Sequence, residues 1–158
     1  MQIIEIPANV KDLPKDKAGL IIPFYKGENA AERRLQCVEN KLCAICGKKL
    51  DPGEYYFITH YRGKIDKISM HGAMHKDCAV YMLQAFPKRC RWELAAIPLT
   101  RKAVMEEIKH VHKFDLIYLI HASHLHFIPN QHPGGDLVKF NIIETTLYSY
   151  ENDTITKK

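Results

Sequence analysis

Cys43-Ala44-Ile45-Cys46-Gly47, answered downstream by His75-Lys76-Asp77-Cys78, is the stretch on which the fold turns. Two thiolates separated by two residues approach one ion from a single tight turn whose backbone N–H groups point at the sulfurs. Gly47 supplies the positive φ that such a turn needs. His75 and Cys78 are three apart where an apolar helical run begins, so they are neighbours on one side of its first turn. The positive end of that helix favours the thiolate of Cys78. Cys43, Cys46, His75 and Cys78 therefore read as one Cys3His zinc site. Four protein ligands close a tetrahedral ion and leave no position for water, so the zinc is expected to be structural. His71 competes for the nitrogen position, but it precedes the helix, and His75 alone stands at i, i+3 to Cys78. Cys37 and Cys90 fall outside both pairs and read as small buried hydrophobes.

Between the pairs, Tyr55, Phe57, Thr59 and Tyr61 alternate with Glu54, Tyr56, Ile58 and His60, which is the period of a strand. Arg62-Gly63 reads as a two-residue turn and Lys64 to Met70 as the returning strand of a hairpin. Knuckle, hairpin and ligand-bearing helix together are the layout of a treble-clef zinc finger. Upstream, Pro7, Pro14 and Pro23 favour extended segments over a core built elsewhere, among them Ile3 to Ile6 and Leu20 to Tyr25. Ala30 to Val38 reads as a short helix with Ala31, Leu35 and Val38 on one stripe. Downstream, Ala79 to Phe86 continues the helix and Pro87 ends it. Residues 88–102 read as an irregular basic connection, and 101–113 as a helix capped by Thr100 with Val104, Ile108 and Val111 on its apolar face. Leu116 to Ile128 reads as one β-rich run, Pro133 to Asp136 as a turn, and Leu137 to Tyr150 as the partner strand.

The 158 residues suit one zinc-stabilised α+β domain over 1–150, with the zinc core at 40–90, an N-terminal arm, a C-terminal helix plus β-hairpin, and a frayed tail at 151–158. With 46% apolar and 26% charged residues the composition is that of a globular protein rather than a disordered one. Glu5 and Pro7 interrupt the N-terminus where a signal peptide needs an apolar run, and no stretch approaches the roughly 20 apolar residues of a membrane helix. A cytoplasmic location without membrane contact is expected. Five cysteines, an odd number, at short paired spacing fit metal binding better than disulfides in a reducing compartment.

Two further features leave alternatives open. His121, His124 and His126, with His110 and His112 upstream, suit either a second ligand-binding surface or histidines on a solvated strand, with His124 and His126 sharing a face. Lys88, Arg89, Arg91, Arg101 and Lys102 surround Trp92, the only tryptophan. That arrangement suits a nucleic-acid backbone with a base stacked on the indole. It equally suits a solvated connection whose tryptophan plugs the core.

Leu13-Pro14-Lys15-Asp16, Pro23-Phe24, Lys41 to Gly47, Ile68-Ser69 and His75-Lys76-Asp77-Cys78-Ala79 resemble, in this order, a family of small uncharacterised treble-clef-like zinc-binding proteins from actinobacteria and their phages. The resemblance spans nearly the whole chain and implies Cys43, Cys46, His75 and Cys78 as ligands, with His71 where relatives carry an acid. Phe86 stands where the family has a later cysteine before proline, and the helix at 101–113 looks like an addition. The resemblance implies a layout and no substrate.

A binding module for nucleic acid is thus the leading expectation, using the net charge of +5, the basic connection and Trp92. A protein-interaction module, such as a phage-encoded modulator of a host protein, is the alternative. An HNH-like nuclease stands last. His60 is its only candidate on the first strand, no histidine or asparagine follows in the helix after Cys78, and no catalytic residue is assigned.

Overall fold

A computed structural model describes residues 5–95, 115–132 and 135–158. The expected helix at 101–113, with Arg101, Lys102, His110 and His112, lies outside the described residues, as do Pro133 and Gly134. The fold is mixed α+β with two antiparallel sheets. Strands β1 (Tyr55–His60), β3 (Leu116–Ala122), β6 (Glu144–Glu151) and β7 (Thr154–Lys157) form one sheet in the order β1-β3-β6-β7. Strands β2 (Ile68–Ser69), β4 (Leu125–His132) and β5 (Gly135–Phe140) form the other, in the order β2-β5-β4. No helix among the described residues is long and apolar enough to cross a membrane.

The expected hairpin between the ligand pairs does not form. His60 leaves β1 in extended conformation and its side chain accepts the Arg62 N–H, which caps helix α3 (Tyr61–Asp66) instead of closing a turn. Gly63 serves close packing rather than a turn. A Cβ there would lie 3.1 Å from the Thr59 side chain and 3.2 Å from the Ile68 carbonyl. Lys67, in the left-handed region, ends α3 and leaves only the two residues of β2, which pair with β5. β1 pairs with β3 from Tyr55↔Ala122 to His60↔Ile117.

The β-rich run from Leu116 to Ile128 is likewise two strands in two sheets. Asn141 makes the corner: its side-chain oxygen accepts from the Ser123 and His124 N–H groups while its amide donates to Ser123 Oγ. The stretch from Leu137 to Tyr150 divides at the same corner into β5, hairpinned on β4, and β6, paired with β3. Residues 151–158, expected to fray, return as β7 against β6.

Helix α2 (Ala30–Asn40) forms where expected but rotated: it buries Cys37 and Val38, while Leu35 is exposed. Helix α4 (Lys76–Ala85) buries Cys78, Ala79, Tyr81, Met82 and Leu83. Helix α4 ends ahead of Pro87 as expected, and Pro87 then begins a new turn, because a residue without an N–H is accepted at a helix start. Helix α5 (Pro87–Arg89) and a π turn (Cys90–Leu94) form the first part of the connection expected to be irregular, and residues 96–102 lie outside the described residues. A contiguous buried cluster from Val10 to Phe140 joins these parts, with Phe57 of the first sheet stacked at 4.4 Å on Phe140 of the second. Ile117 and Ile120 on β3 are fully buried, each worth about 1.5–3 kcal/mol of apolar transfer.

Candidate metal centre

The segment Leu42–Lys49 folds back on itself through the Leu42↔Lys49 bridge, with the Cys43 N–H bonded to the Lys48 carbonyl and the Gly47 N–H to that of Cys43. Gly47 has φ +76°, and the Phe24 ring lies so close that a Cβ would meet it at 2.6 Å. The extended arm reaches this turn by donating the Phe24 and Tyr25 N–H groups to Ile45 and Ala44. In place of a hairpin strand, residues 73–75 bring the second pair home. Met74 exchanges two backbone bonds with Tyr56 of β1, and the Ala73 carbonyl accepts from Ala44. His75 then stands at the N-cap position of α4 with its ring free of the helix backbone, and Cys78 sits in the first turn.

Cys43, Cys46, His75 and Cys78 converge so that one ligand atom from each lies within 4.8 Å of the others. His75 Nδ1 is 3.3 Å from Cys46 Sγ and 3.9 Å from Cys78 Sγ. A tetrahedral ion with bonds of about 2.3 Å to sulfur and 2.0–2.1 Å to nitrogen spans edges of that length. His75 Nε2 donates to the Lys49 carbonyl at 3.0 Å, which leaves Nδ1 as the lone pair facing the sulfurs. The His75 backbone N–H points at Cys43 Sγ, 3.4 Å away.

The electrostatics fit the donor set. Burial opposes ionisation of Cys43, yet hydrogen bonds with Cys46 and Cys78 and from backbone N–H groups hold its thiol well below the ordinary value. Those same contacts with Cys43 push Cys46 and Cys78 up. Sulfurs this close oppose one another's ionisation, and a cation among them lets all three ionise. This Cys3His cluster can hold a metal ion. An open cleft of about 900 Å³ beside it, between Pro7, Tyr56 and α4, reaches His75 and Cys78.

His71 is not in the cluster. Its ring is buried against Tyr25, its Nε2 donates to the Glu93 carbonyl at 3.3 Å, and burial lowers its pKa to about 4. Cys37 and Cys90 are buried thiols whose pKa burial raises, that of Cys37 to about 12. His60 is buried as the cap of α3, with a pKa lowered to about 4 first by burial and then by Arg91 and Arg62.

The three downstream histidines are not brought together as one strand face. His121 lies on β3, stacked on Tyr56 at 4.6 Å with its Nε2 3.0 Å from the Gly53 carbonyl. His124 precedes β4 at the Asn141 corner, and His126 pairs with Lys139 in the other sheet. Among the described residues Cys43, Cys46, His75 and Cys78 are the only metal-capable group of three or more.

The described part of the basic connection is helical over 88–94, and its basic residues are charge-paired. Lys88 lies 3.6 Å from Asp153, Arg89 3.4 Å from Glu93, and Arg91 3.7 Å from Asp115. Arg91 is buried, whereas Trp92 is 65% exposed, so the tryptophan is no core plug. Tyr150 and Asp153 join this face from β6 and the turn after it; nothing in their local sequence announces it. The alternation of Tyr148 and Tyr150 signals a strand and not its neighbour.

No protein-family model matches the chain, and no curated protein or solved structure matches it either.

Proposed function

We propose that the chain is a zinc-stabilised binding module for nucleic acid, in which the metal is structural and binding occurs on the face around Trp92. Three thiolates and one imidazole in a tetrahedral arrangement suit zinc better than the hard cations, which prefer oxygen. The ligand set is complete without water, which supports a structural role. The knuckle and a helix that starts between His75 and Cys78 support a treble-clef-like reading of the zinc core, with the Met74 bridge in place of the hairpin. The observation that carries the binding reading is the 65% exposure of Trp92, with the exposed Lys88 one helical turn before it. An indole in water next to a cation suits a stacked base and its phosphate. The Lys88–Asp153 pair does not block this, since both partners are solvent-exposed and screening leaves such pairs weak.

Retention of the zinc-loaded protein on heparin and DNA tests the reading: binding that weakens steeply with salt is expected. Absence of retention at low salt overturns it. The second reading, a protein-interaction module, draws on the same face. Lys88, Arg89 and Arg91 each have a carboxylate partner, and tryptophan, tyrosine and arginine are the residues that anchor protein interfaces.

A further inference from the structure

Trp92 is exposed and yet held in place. The Arg91 guanidinium lies 4.4 Å from the indole centroid, and Arg91 itself is only 8% exposed, so it supports the ring from the protein side. The Tyr150 hydroxyl lies near the indole edge, Tyr150 Oη donates to Asp153 Oδ1 at 2.7 Å, and Lys88 lies 3.6 Å from the other carboxylate oxygen of Asp153. The cation therefore holds one face of the indole, and the Tyr150–Asp153–Lys88 chain borders its edge. Trp92 is nevertheless 65% exposed, and Arg91 covers only one face of the ring. Tryptophan is highly buried on average, and ordering an exposed ring without a partner gains nothing in folding. A ring pre-set in this way suits stacking by a planar ligand, because its rotamer freedom is already lost before binding.

The geometry points to Trp92, supported by Arg91 and Tyr150, as a stacking platform for one unpaired base of a single-stranded nucleic acid, with Lys88 beside it for the adjoining phosphate. This rests on the nucleic-acid reading above and sharpens it. A duplex keeps its bases stacked on each other and offers the indole only a backbone, whereas every unpaired base presents a π-face. Arg91 under the opposite face makes the indole sandwich complete once a base arrives. Tyr150 and Asp153 act as positioning residues, since they touch the indole edge and Lys88 rather than the base.

The single tryptophan makes the test direct. Zinc-loaded full-length protein is titrated with a short oligothymidylate and, separately, with a blunt duplex of the same length, following tryptophan emission and the anisotropy of a labelled strand. Quenching on the single strand is expected. Trp92→Ala is expected to weaken that binding by about 5- to 150-fold, the range for loss of one base stack, and Trp92→Phe to retain most of it. Tyr150→Phe keeps the ring but removes the hydroxyl that holds Asp153 at the indole edge, and should weaken single-strand binding less than Trp92→Ala while leaving the melting temperature unchanged. Equal affinity for duplex and single strand with unchanged emission overturns the platform and leaves the nucleic-acid reading standing. Binding to neither at low salt overturns both.

Discussion

Cys43, Cys46, His75 and Cys78 come from two compact motifs, and the chain between them folds so that four donor atoms close on one point. Trp92, Arg91, Tyr150 and Asp153 come from a π turn and a strand pair more than fifty positions apart, and they meet at the surface. The first region is buried and its parts depend on one another. The second sits on a frame already complete, and apart from the buried Arg91 its members make weak, solvent-shared contacts. The difference teaches where a substitution acts: loss at the metal cluster should reach the whole fold, and loss at Trp92 should stay local.

The largest effect tests the first half of that contrast. Native mass spectrometry is expected to find one zinc per chain. Chelation through the cleft that reaches His75 and Cys78, or Cys43→Ser or Cys78→Ser, should forfeit a contribution on the order of 10 kcal/mol, comparable with a domain's whole stability. Circular dichroism should then show loss of the cooperative melt. Zinc retained by both variants would mean that the ligand set is different.

Gly47→Ala probes the same region without touching a ligand. The new Cβ combines a positive φ with a 2.6 Å approach to the Phe24 ring, so a loss of about 2–4 kcal/mol is expected in urea unfolding of the zinc-loaded protein. A neutral result would show that the arm does not clamp the knuckle.

Acid should find the two buried histidines next. His60 and His71 have folded pKa values of about 4 against an ordinary 6.5, so the unfolded chain binds their protons first. Their contribution is present above pH 6.5 and is lost as pH falls towards 4. Between pH 7.5 and 5 the loss is about 2 kcal/mol per histidine. Metal release adds to it, so the informative quantity is the difference between wild type and His71→Phe. A variant whose stability falls with acid as steeply as wild type would place the His71 titration elsewhere.

The smallest effects belong to the Trp92 face. Lys88→Ala and Trp92→Ala should leave the melting temperature and the zinc content where they were, because both side chains are mostly in water. A drop in either would join the two regions energetically and remove the contrast.

Short-range features of the fold were legible in the residues themselves. The x2 pairs, Gly47 and the helix start name the ligands, because a metal site constrains spacing within a turn. The alternation at Tyr55 to His60 marks a strand, and His75 over His71 follows from three-residue spacing on a helix. The hairpin was misread because alternation reports a strand and not its partner. His60 capping Arg62, and Gly63 packed on Thr59, decided for a helix through contacts that periodicity does not carry.

By itself, then, the chain determined which donor atoms would meet and what ion chemistry they suit, since these depend on residue type and local geometry. Only the tertiary structure decided that β1 pairs with β3, that Asn141 passes the chain from one sheet to the other, and that Tyr150 meets Trp92. Those outcomes are choices among distant partners of similar local preference, and burial of the common core against Phe57 and Phe140 selects among them.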